Sequence, residues 1–169
     1  MVLTLDPSLR AFGWAIVSNG KYVAGGCVKT KKKKGLIVDS DYISLRELIE
    51  ALMDLNKKYK ITEVYYEVPG GSKGFRCAQT LAAVRGAVLS FCLNNALPHN
   101  EVRVIDLRKE LVGNKDASKD EILACVLKKI PTFSVKGLKD DEKYAISDAL
   151  AVYLGGKEIK KNVRKNKSS

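Results

Sequence analysis

The spacing of apolar residues changes along this chain of 169 residues from every second position to every third or fourth. The order of these changes constrains the fold more than any other feature of the sequence. The first 30 residues favour three strands in succession, over residues 2–5, 12–17 and 21–30. The dipeptide Asn19-Gly20 favours a tight hairpin between the second and third strands, because both positions of a type I′ turn need positive φ. The chain therefore opens with a β-meander.

After the meander, segments with helical spacing of apolar residues alternate with short segments rich in β-branched and aromatic residues. Leu45, Leu48 and Leu52, for example, mark the apolar stripe of a helix that Ser40 or Asp41 could cap. The sequence predicts helices over residues 41–59, 76–94, 106–111, 118–130 and 141–154, and strands over residues 62–68 and 102–105. A meander followed by alternating helices and strands predicts an α/β fold, in which a mixed sheet carries helices on both faces.

Several helix ends carry residues typical of caps. Asp106 is expected to cap the third helix, and Ser118 with Glu121 forms a capping box at the start of the fourth. Gly155-Gly156 is expected to stop the last helix. The sequence thus predicts one domain over residues 1–156, followed by a lysine-rich, flexible tail over residues 157–169.

The chain is strongly basic, with 30 Lys and Arg against 19 Asp and Glu, a net charge of +11. Such a balance indicates a polyanionic partner, above all a nucleic acid. Most of the excess lies in two segments, since Lys29 with residues 31–34 carries +5 and residues 157–169 carry another +5. Both segments are expected to add nonspecific affinity for DNA, although solubility alone could also explain them.

No apolar run approaches the roughly 18 residues that a membrane span requires, so no membrane partner is expected. The four cysteines, Cys27, Cys77, Cys92 and Cys125, form no C-x-x-C pair, which argues against a zinc site. Each lies among apolar neighbours in a predicted strand or helix, which is typical of buried, reduced thiols. The sequence therefore predicts an intracellular, cytoplasmic location, near the nucleoid or in the host cell of a phage or virus.

Three acidic residues stand in predicted core elements, although a carboxylate is costly to bury. Asp6 ends the first strand, Glu67 ends the strand over residues 62–68, and Asp148 lies among small and apolar residues of the last helix. Each alone could be a cap, a turn residue or an exposed side chain. Together they can converge on Mg²⁺ or Mn²⁺, because hard carboxylate oxygens suit these ions. A pair of such ions about 4 Å apart can hydrolyse a phosphodiester.

Four motifs around these acids resemble the RuvC-type Holliday-junction resolvases. In chain order the motifs are residues 3–8 with residues 13–15, then Glu67 with Lys73, Gln79, Arg85 and Gly86, then Leu111-Val112-Gly113 with Lys119, and finally residues 147–151. The resemblance covers roughly residues 1–156. It implies a ribonuclease H-like fold with a mixed five-stranded sheet, a homodimer, and a divalent-metal-dependent nuclease that cuts four-way DNA junctions.

The resemblance also implies roles for single residues. Asp6, Glu67 and Asp148 match the acids that bind metal in the family, and Lys109 and Lys119 match its basic residues near the scissile phosphate. Lys119 is expected to stabilise the charge that develops on the phosphate during attack. Two active sites in a homodimer suit symmetric nicks in opposed strands, and the helix over residues 76–94 is expected to contribute to the dimer face.

The chain departs from the family at Ala145, three residues before Asp148, where the family has a fourth acid or a histidine. Asp141 lies seven residues before Asp148 and nearly on the same helix face, so it could supply that ligand, and Glu142 is the alternative. Otherwise Asp140, Asp141 and Glu142 serve only the N-terminus of the helix.

A second departure follows Glu67. The family often has an aromatic residue three positions later that wedges into the junction, whereas this chain has Gly70. Phe75 is the nearby aromatic residue that could replace it by stacking on an unpaired base, or it could pack as the first apolar residue of the next helix. The residues expected to contact DNA are Lys73, Phe75, Arg76, Lys109, Lys115 and Lys119.

These inferences predict a Mg²⁺-dependent crossover junction endodeoxyribonuclease, a hydrolase of DNA recombination and repair in which Mn²⁺ can replace Mg²⁺. Its catalytic residues are expected to be Asp6, Glu67, Asp141, Asp148 and Lys119, and all but Lys119 are expected to bind metal. Hydrolysis would leave a 5′-phosphate and a 3′-hydroxyl. Three alternatives stay open. The first is a nuclease of the same fold that cuts RNA–DNA hybrids or other branched DNA, and the second is a non-catalytic nucleic-acid binder, which the missing acid would favour. The third is a small basic structural protein, such as a ribosome-associated factor, which would leave the placement of Asp6, Glu67 and Asp148 unexplained.

Overall fold

The computed structural model of the chain describes residues 1–31, 36–68 and 74–167, with side chains through Val163. In this part of the chain five strands and five helices follow one another in the predicted order. The strands are β1 Val2–Asp6, β2 Ala11–Ser18, β3 Lys21–Lys29, β4 Glu63–Val68 and β5 His99–Arg103. The helices are α1 Ile37–Tyr59, α2 Phe75–Asn94, α3 Val104–Val112, α4 Lys119–Lys129 and α5 Asp140–Lys167.

The strands form one mixed sheet in the order β3-β2-β1-β4-β5. β2 pairs antiparallel with β1 and β3, whereas β4 pairs parallel with β1 and β5. Asn19 and Gly20 both have positive φ, 49° and 77°, which confirms the predicted hairpin between β2 and β3. Because β1, β4 and β5 run in the same direction, their carboxyl ends meet at one edge of the sheet, where open α/β sheets bind their ligands.

Helices cover both faces of the sheet, as predicted. Successive residues of a strand face opposite sides, so apolar residues at neighbouring positions of one strand pack against helices on both faces. On one face Tyr65 packs with residues of α3, α4 and α5, among them Leu150. On the other face its neighbour Val64 packs with residues of α1 and α2, among them Leu48 and Val88. All five side chains are fully buried or nearly so. The sheet therefore separates two apolar cores.

Helix α1 begins earlier than the sequence predicts. It starts at Ile37, and its N-cap is Leu36, which makes no side-chain cap hydrogen bond. Ser40 and Asp41 are therefore residues of the first turns, and the prediction that one of them caps the helix is wrong. Both side chains instead accept hydrogen bonds from Arg10, Ser40 at 3.5 Å and Asp41 at 2.9 Å.

The boundary between β5 and α3 also differs from the prediction. β5 ends at Arg103, so residues 104 and 105, which the sequence assigns to the strand, belong to the helix. The N-cap of α3 is Arg103, and the predicted cap Asp106 lies in the first turn, where its carboxylate accepts a hydrogen bond from Arg103 Nε at 2.6 Å. At the next helix, the capping box of Ser118 and Glu121 is present as predicted.

Helix α5 runs without interruption from Asp140 to Lys167, so the predicted stop at Gly155-Gly156 is wrong. The two glycines serve close packing instead. A Cβ on Gly156 would lie 2.5 Å from Cδ1 of Tyr65, and one on Gly155 would lie 3.2 Å from Cγ of Leu107. The missing side chains thus let α5 lie directly on the sheet and on α3.

The segment beyond these glycines is helical up to Lys167, although its composition predicts a flexible tail. Ile159 packs against the apolar core on that side of the sheet. Lys160 Nζ lies 2.8 Å from Oε1 of Glu63 at the start of β4. The first turn of the segment is therefore attached to the domain, and the predicted boundary at residue 156 falls inside a helix.

The prediction of buried thiols is confirmed for Cys92 and only in part for Cys27 and Cys125. Cys92 is buried and Cys27 and Cys125 are half-buried, all with free thiols. Cys77 in the first turn of α2 is exposed, so the expectation of a buried thiol is wrong there. None of the helices in the described ranges has both the length and the hydropathy to cross a membrane.

Candidate active site

Two of the predicted acids lie side by side at the carboxyl edge of the sheet. Leu5 of β1 is paired with Tyr66 of β4, and the next residues along these parallel strands are Asp6 and Glu67. The direction and register of the two strands therefore suffice to place the two carboxylates next to each other.

The third acid, Asp148, comes from α5, which packs over the same edge. Its neighbours Ser147 and Ala149 are fully buried, so the backbone of the helix is fixed on both sides of it. Asp6, Glu67 and Asp148 line one cavity of about 220 Å³. The remaining lining residues are Val104, Leu107, Arg108, Lys119, Ile122 and Ala151. The fold thus brings the three acids together with two cations and an apolar wall.

Burial raises the pKa of all three carboxyl groups, and repulsion by neighbouring carboxylates adds to the rise for Asp6 and Glu67. For Asp6, burial and then the charge of Asp148 raise the pKa from 3.8 to about 6. For Glu67, burial and then the charges of Asp6 and Asp148 raise it from 4.5 to about 8. The pKa of Asp148 is raised by burial, against the opposing effect of Lys119 and Arg108. The cavity therefore contains three carboxyl groups but only two cations, Lys119 and Arg108, to compensate their negative charge.

This donor set fits a hard divalent cation. Carboxylate oxygens are the ligands that Mg²⁺ and Mn²⁺ prefer, and such an ion would compensate the repulsion among the three acids. In the described part of the chain no group of three His, Cys, Asp or Glu side chains is arranged to hold a metal ion. The chemistry of the donor set, and not the present spacing of the acids, is therefore what points to a divalent cation.

Lys119 provides a positive charge next to the acids of the cavity. Its Nζ donates a hydrogen bond of 3.1 Å to Oδ2 of Asp148. Lys119 is the first residue of α4, and the capping box of Ser118 and Glu121 fixes that helix start. Its side chain is 63% exposed, so it can reach a bound anion without leaving the cavity rim. The structure thus brings this predicted residue to the three acids.

Arg108, a residue that the sequence analysis missed, lines the cavity, whereas the predicted Lys109 does not. Arg108 lowers the pKa of both Glu67 and Asp148, although burial outweighs it. Lys109 is exposed. The signal was present in the sequence, since residue 108 is four positions after Val104 and belongs to the face of α3 that carries the buried residues 107 and 111.

Asp141 and Glu142, the candidates for a fourth ligand, do not line the cavity. Asp141 is exposed and forms an ion pair with Lys29 of β3, which lowers its pKa. Glu142 accepts a hydrogen bond of 3.3 Å from the backbone N–H of Lys139, so it serves the start of α5. Ala145 lies against the sheet with its carbonyl oxygen 2.5 Å from where a Cβ on Gly13 would be. The described cavity therefore contains three acids.

The residues predicted to contact DNA lie on several elements. Lys73 lies outside the described residues, as do residues 32–34 of the first basic segment. Phe75 is the first residue of α2 and is 80% exposed, so the alternative in which it packs into the core is wrong. Arg76 follows it and forms an ion pair with Asp41 of α1. Lys115 is exposed between α3 and α4.

Comparison with known proteins identifies relatives over almost the whole length. A family model described as crossover junction endodeoxyribonuclease RuvC matches residues 2–155. The curated protein of that description from Wolbachia pipientis wMel is 28% identical over 158 residues, covering 90% of this chain and 91% of the relative. The one from Orientia tsutsugamushi (strain Boryong) is 29% identical over 157 residues, covering 89% of this chain and 91% of the relative.

Solved structures share the fold. RuvC of T. thermophilus in complex with a Holliday junction substrate aligns with a TM-score of 0.73 at 18% identity, covering 91% of this chain and 90% of that chain. Another structure of Thermus thermophilus RuvC aligns with a TM-score of 0.70 at 17% identity, covering 91% of both chains. These alignments confirm the ribonuclease H-like arrangement of a mixed five-stranded sheet with helices on both faces.

Proposed function

This chain belongs to the RuvC family of crossover junction endodeoxyribonucleases, and on that premise we propose that it resolves four-way DNA junctions with Asp6, Glu67 and Asp148 as its catalytic carboxylates. One observation carries the proposal. Three carboxyl groups with raised pKa share a cavity with two cations at the carboxyl edge of the sheet. Such a cluster is energetically costly, and a bound cation that compensates its charge would explain why the domain carries it.

The three carboxylates would hold Mg²⁺, and Mn²⁺ could substitute, because both ions prefer oxygen ligands. When bound, such ions supply activation of water and stabilisation of the leaving oxygen of a phosphodiester. Asp6 and Glu67 are fixed by neighbouring strands, and Asp148 reaches the same space from α5. The rigid sheet edge thus sets where the scissile phosphate must lie.

Lys119 and Arg108 would bind the phosphate oxygens that do not take part in the bond being cut. Both cations line the cavity, and Lys119 already lies 3.1 Å from Asp148. With the acids holding an ion, the ammonium of Lys119 would donate to the phosphate instead of to Asp148. A cation that is fixed in advance next to the developing charge lowers the barrier without reorganisation.

Phe75, Arg76 and Lys115 would contact the DNA around the cut, together with Lys73. Lysine and arginine position DNA by its phosphates without reading bases. Phe75 is exposed at the start of α2, where it can stack on a base that the junction leaves unpaired. Lys109 is exposed on α3, one position from Arg108. It would therefore contact the DNA backbone outside the cavity.

The active form would be a homodimer within the cell, because a four-way junction is resolved by paired nicks in opposed strands. A twofold axis presents two equal sites to the two strands. The exposed face of α2 is one candidate for the interface, with Leu93 74% exposed near its end.

A second candidate function is a non-catalytic junction binder, and Ala145 is the observation that favours it. The family position that carries an acid or a histidine here has a methyl group, and neither Asp141 nor Glu142 reaches the cavity. Three carboxylates suffice to hold an ion in many protein sites, so the binder ranks second.

The test is cleavage of a labelled four-way junction, a flap, an RNA–DNA hybrid and a linear duplex, each with Mg²⁺ and with EDTA. We expect Mg²⁺-dependent nicks in the junction above all, with 5′-phosphate ends. Asp6→Asn should abolish cleavage and retain junction binding, whereas Asp54→Asn, an exposed change on α1, should cut like the wild type. Junction binding without cleavage would favour the binder, and preference for the hybrid would contradict the resolvase.

A further inference from the structure

Asp41 of α1 lies between two arginines from different parts of the fold. Its Oδ1 accepts a hydrogen bond of 2.9 Å from Nη2 of Arg10, in the connection between β1 and β2. Its Oδ2 accepts one from Nη2 of Arg76, in the first turn of α2. The side chain of Asp41 is 19% exposed, so most of it lies between these two partners. One carboxylate thus joins three elements, with each oxygen committed to a different one.

Arg10 is the fixed side of this cluster. Its Nη1 donates a hydrogen bond of 2.6 Å to Oγ of Ser44, which is fully buried. Ser44 in turn donates a hydrogen bond of 2.9 Å to the carbonyl oxygen of Ser40. Arg10 stands four residues after Asp6, so the connection that it anchors begins at the catalytic edge of the sheet.

Arg76 is the outer side of the cluster. Its side chain is 53% exposed, and the contact with Asp41 uses one terminal nitrogen of the guanidinium. A guanidinium has five N–H donors, so others stay available to a phosphate. Two arginines against one carboxylate leave a net positive charge, which attracts an anion rather than repelling it.

The start of α2 needs a negative charge from outside. The helix has no acidic residue in its first turn, and it carries Arg76 there, where the helix dipole disfavours a cation. Asp41 supplies the missing charge from α1. Phe75 is 80% exposed, whereas its neighbour Arg76 is held by the hydrogen bond to Asp41. The cluster therefore fixes the backbone from which this aromatic ring projects.

We propose that Asp41 is a positioning residue for junction recognition: it holds Arg76, and with it the first turn of α2, so that Phe75 projects to the branch point and Arg76 meets a phosphate beside it. The proposal rests on the proposed function, since it assigns a role in binding the same substrate. It distinguishes Asp41 from an ordinary surface ion pair, which would add at most about 1 kcal/mol to stability and nothing to substrate choice.

The test compares Asp41→Asn with Glu50→Gln. Both changes remove one negative charge from α1, but Glu50 is exposed and pairs with Arg46 on the same helix, at 3.5 Å. The first measurement is the ratio of affinities for a four-way junction and for a linear duplex of equal length. The second is the fluorescence of 2-aminopurine at the branch point, which rises when a base is unstacked. Both are made in the Asp6→Asn background, so that no DNA is cut.

Asp41→Asn should lower the junction-to-duplex ratio about tenfold, the loss expected for one charge-assisted hydrogen bond. It should also reduce the fluorescence rise, and Glu50→Gln should change neither. Arg76→Lys keeps the charge but loses the planar fork, so it should reproduce the effect, and the double variant should be no worse than either single one. Thermal unfolding of each variant shows that it is folded.

An unchanged ratio and an unchanged fluorescence rise in Asp41→Asn would overturn the proposal, even if the variant were less stable. Additive effects of Asp41→Asn and Arg76→Lys would overturn it as well, because they would show that the two residues act separately. A protein that binds the junction but does not cut it in Mg²⁺ contradicts the proposed function alone, and these binding measurements still decide the role of Asp41. Absence of junction binding contradicts both.

Discussion

Replacing Glu67 by glutamine should stabilise the metal-free protein, and the gain should grow with pH. Burial first, and then the charges of Asp6 and Asp148, raise the pKa of Glu67 from 4.5 to about 8. In the unfolded chain the same carboxyl group keeps its ordinary pKa, so above pH 4.5 the unfolded state releases the proton that the folded state retains. Ionisation therefore weakens folding, and glutamine keeps the shape of the side chain without the charge.

The size of the effect follows from the two pKa values. Because the folded pKa is the higher one, the stability that protonated Glu67 provides is complete below pH 4.5 and is lost as the pH rises to about 8. At about 1.36 kcal/mol per pKa unit, the loss amounts to roughly 4 kcal/mol at pH 8. Glu67→Gln should therefore match the wild type near pH 4.5 and exceed its free energy of unfolding by up to roughly 4 kcal/mol at pH 8.

Urea denaturation in EDTA over this pH range measures the difference. Glu63→Gln is the matched control, because Glu63 begins the same strand and the substitution is again glutamate to glutamine. Burial raises the pKa of Glu63, but hydrogen bonds from Lys160 and Asn100 lower it further than burial raises it, so the net pKa is lowered. Its ionised form supports folding above its ordinary pKa, and glutamine there should reduce stability at pH 8.

The reasoning is refuted if Glu67→Gln is no more stable than the wild type at pH 8, or if its advantage is equally large in acid. Added Mg²⁺ gives a second check. An ion that binds only the folded state raises the free energy of unfolding. Because the variant lacks the charge that the ion compensates, Mg²⁺ should stabilise the wild type more than Glu67→Gln.

Three further changes test other parts of the site and fold. Lys119→Ala should lower the single-turnover cleavage rate by about 10²- to 10³-fold with little change in junction affinity, because its cation acts mainly on developing charge. Arg108→Ala should lower the same rate, whereas Lys109→Ala, its exposed neighbour, should stay within about twofold of the wild type. Gly156→Ala should lower the free energy of unfolding by about 1 to 3 kcal/mol in urea denaturation, because its Cβ would lie 2.5 Å from the ring of Tyr65.

The order of the elements and the convergence of the acids could be predicted from the sequence because both depend on local patterns. Periodicity identifies strands and helices, and the meander followed by alternating elements restricts the sheet to a few arrangements. Once β1 and β4 are parallel neighbours, Asp6 and Glu67 must lie at the same edge. Asp148 stood out because a carboxylate amid small and apolar residues needs a partner.

The errors arose where tertiary contacts override local preferences. Gly155-Gly156 is a typical helix stop, yet the close approach of α5 to Tyr65 makes a side chain at residue 156 impossible without rearrangement. Lys109 and Arg108 are equally basic neighbours, and only the rotation of α3 on the core decides which one reaches the cavity. Asp141 has the right spacing on the helix, but Lys29 of β3 holds it outside.

Under the proposed function, DNA binding and DNA cleavage depend on different charged groups of this chain. At pH 7 a folded protein without metal keeps most of Glu67 protonated, since its pKa is about 8. Asp6, with a pKa of about 6, is mostly ionised at that pH and offsets part of the positive charge of Lys119 and Arg108. Most of the net charge of +11 lies elsewhere, in the segments around residues 29–34 and 157–169. If the three acids hold a divalent ion, as proposed, that ion would displace the proton of Glu67 and add positive charge to the cavity. Metal binding would then supply the charge that attracts the scissile phosphate, and we expect cleavage to depend on the metal concentration more steeply than DNA binding does.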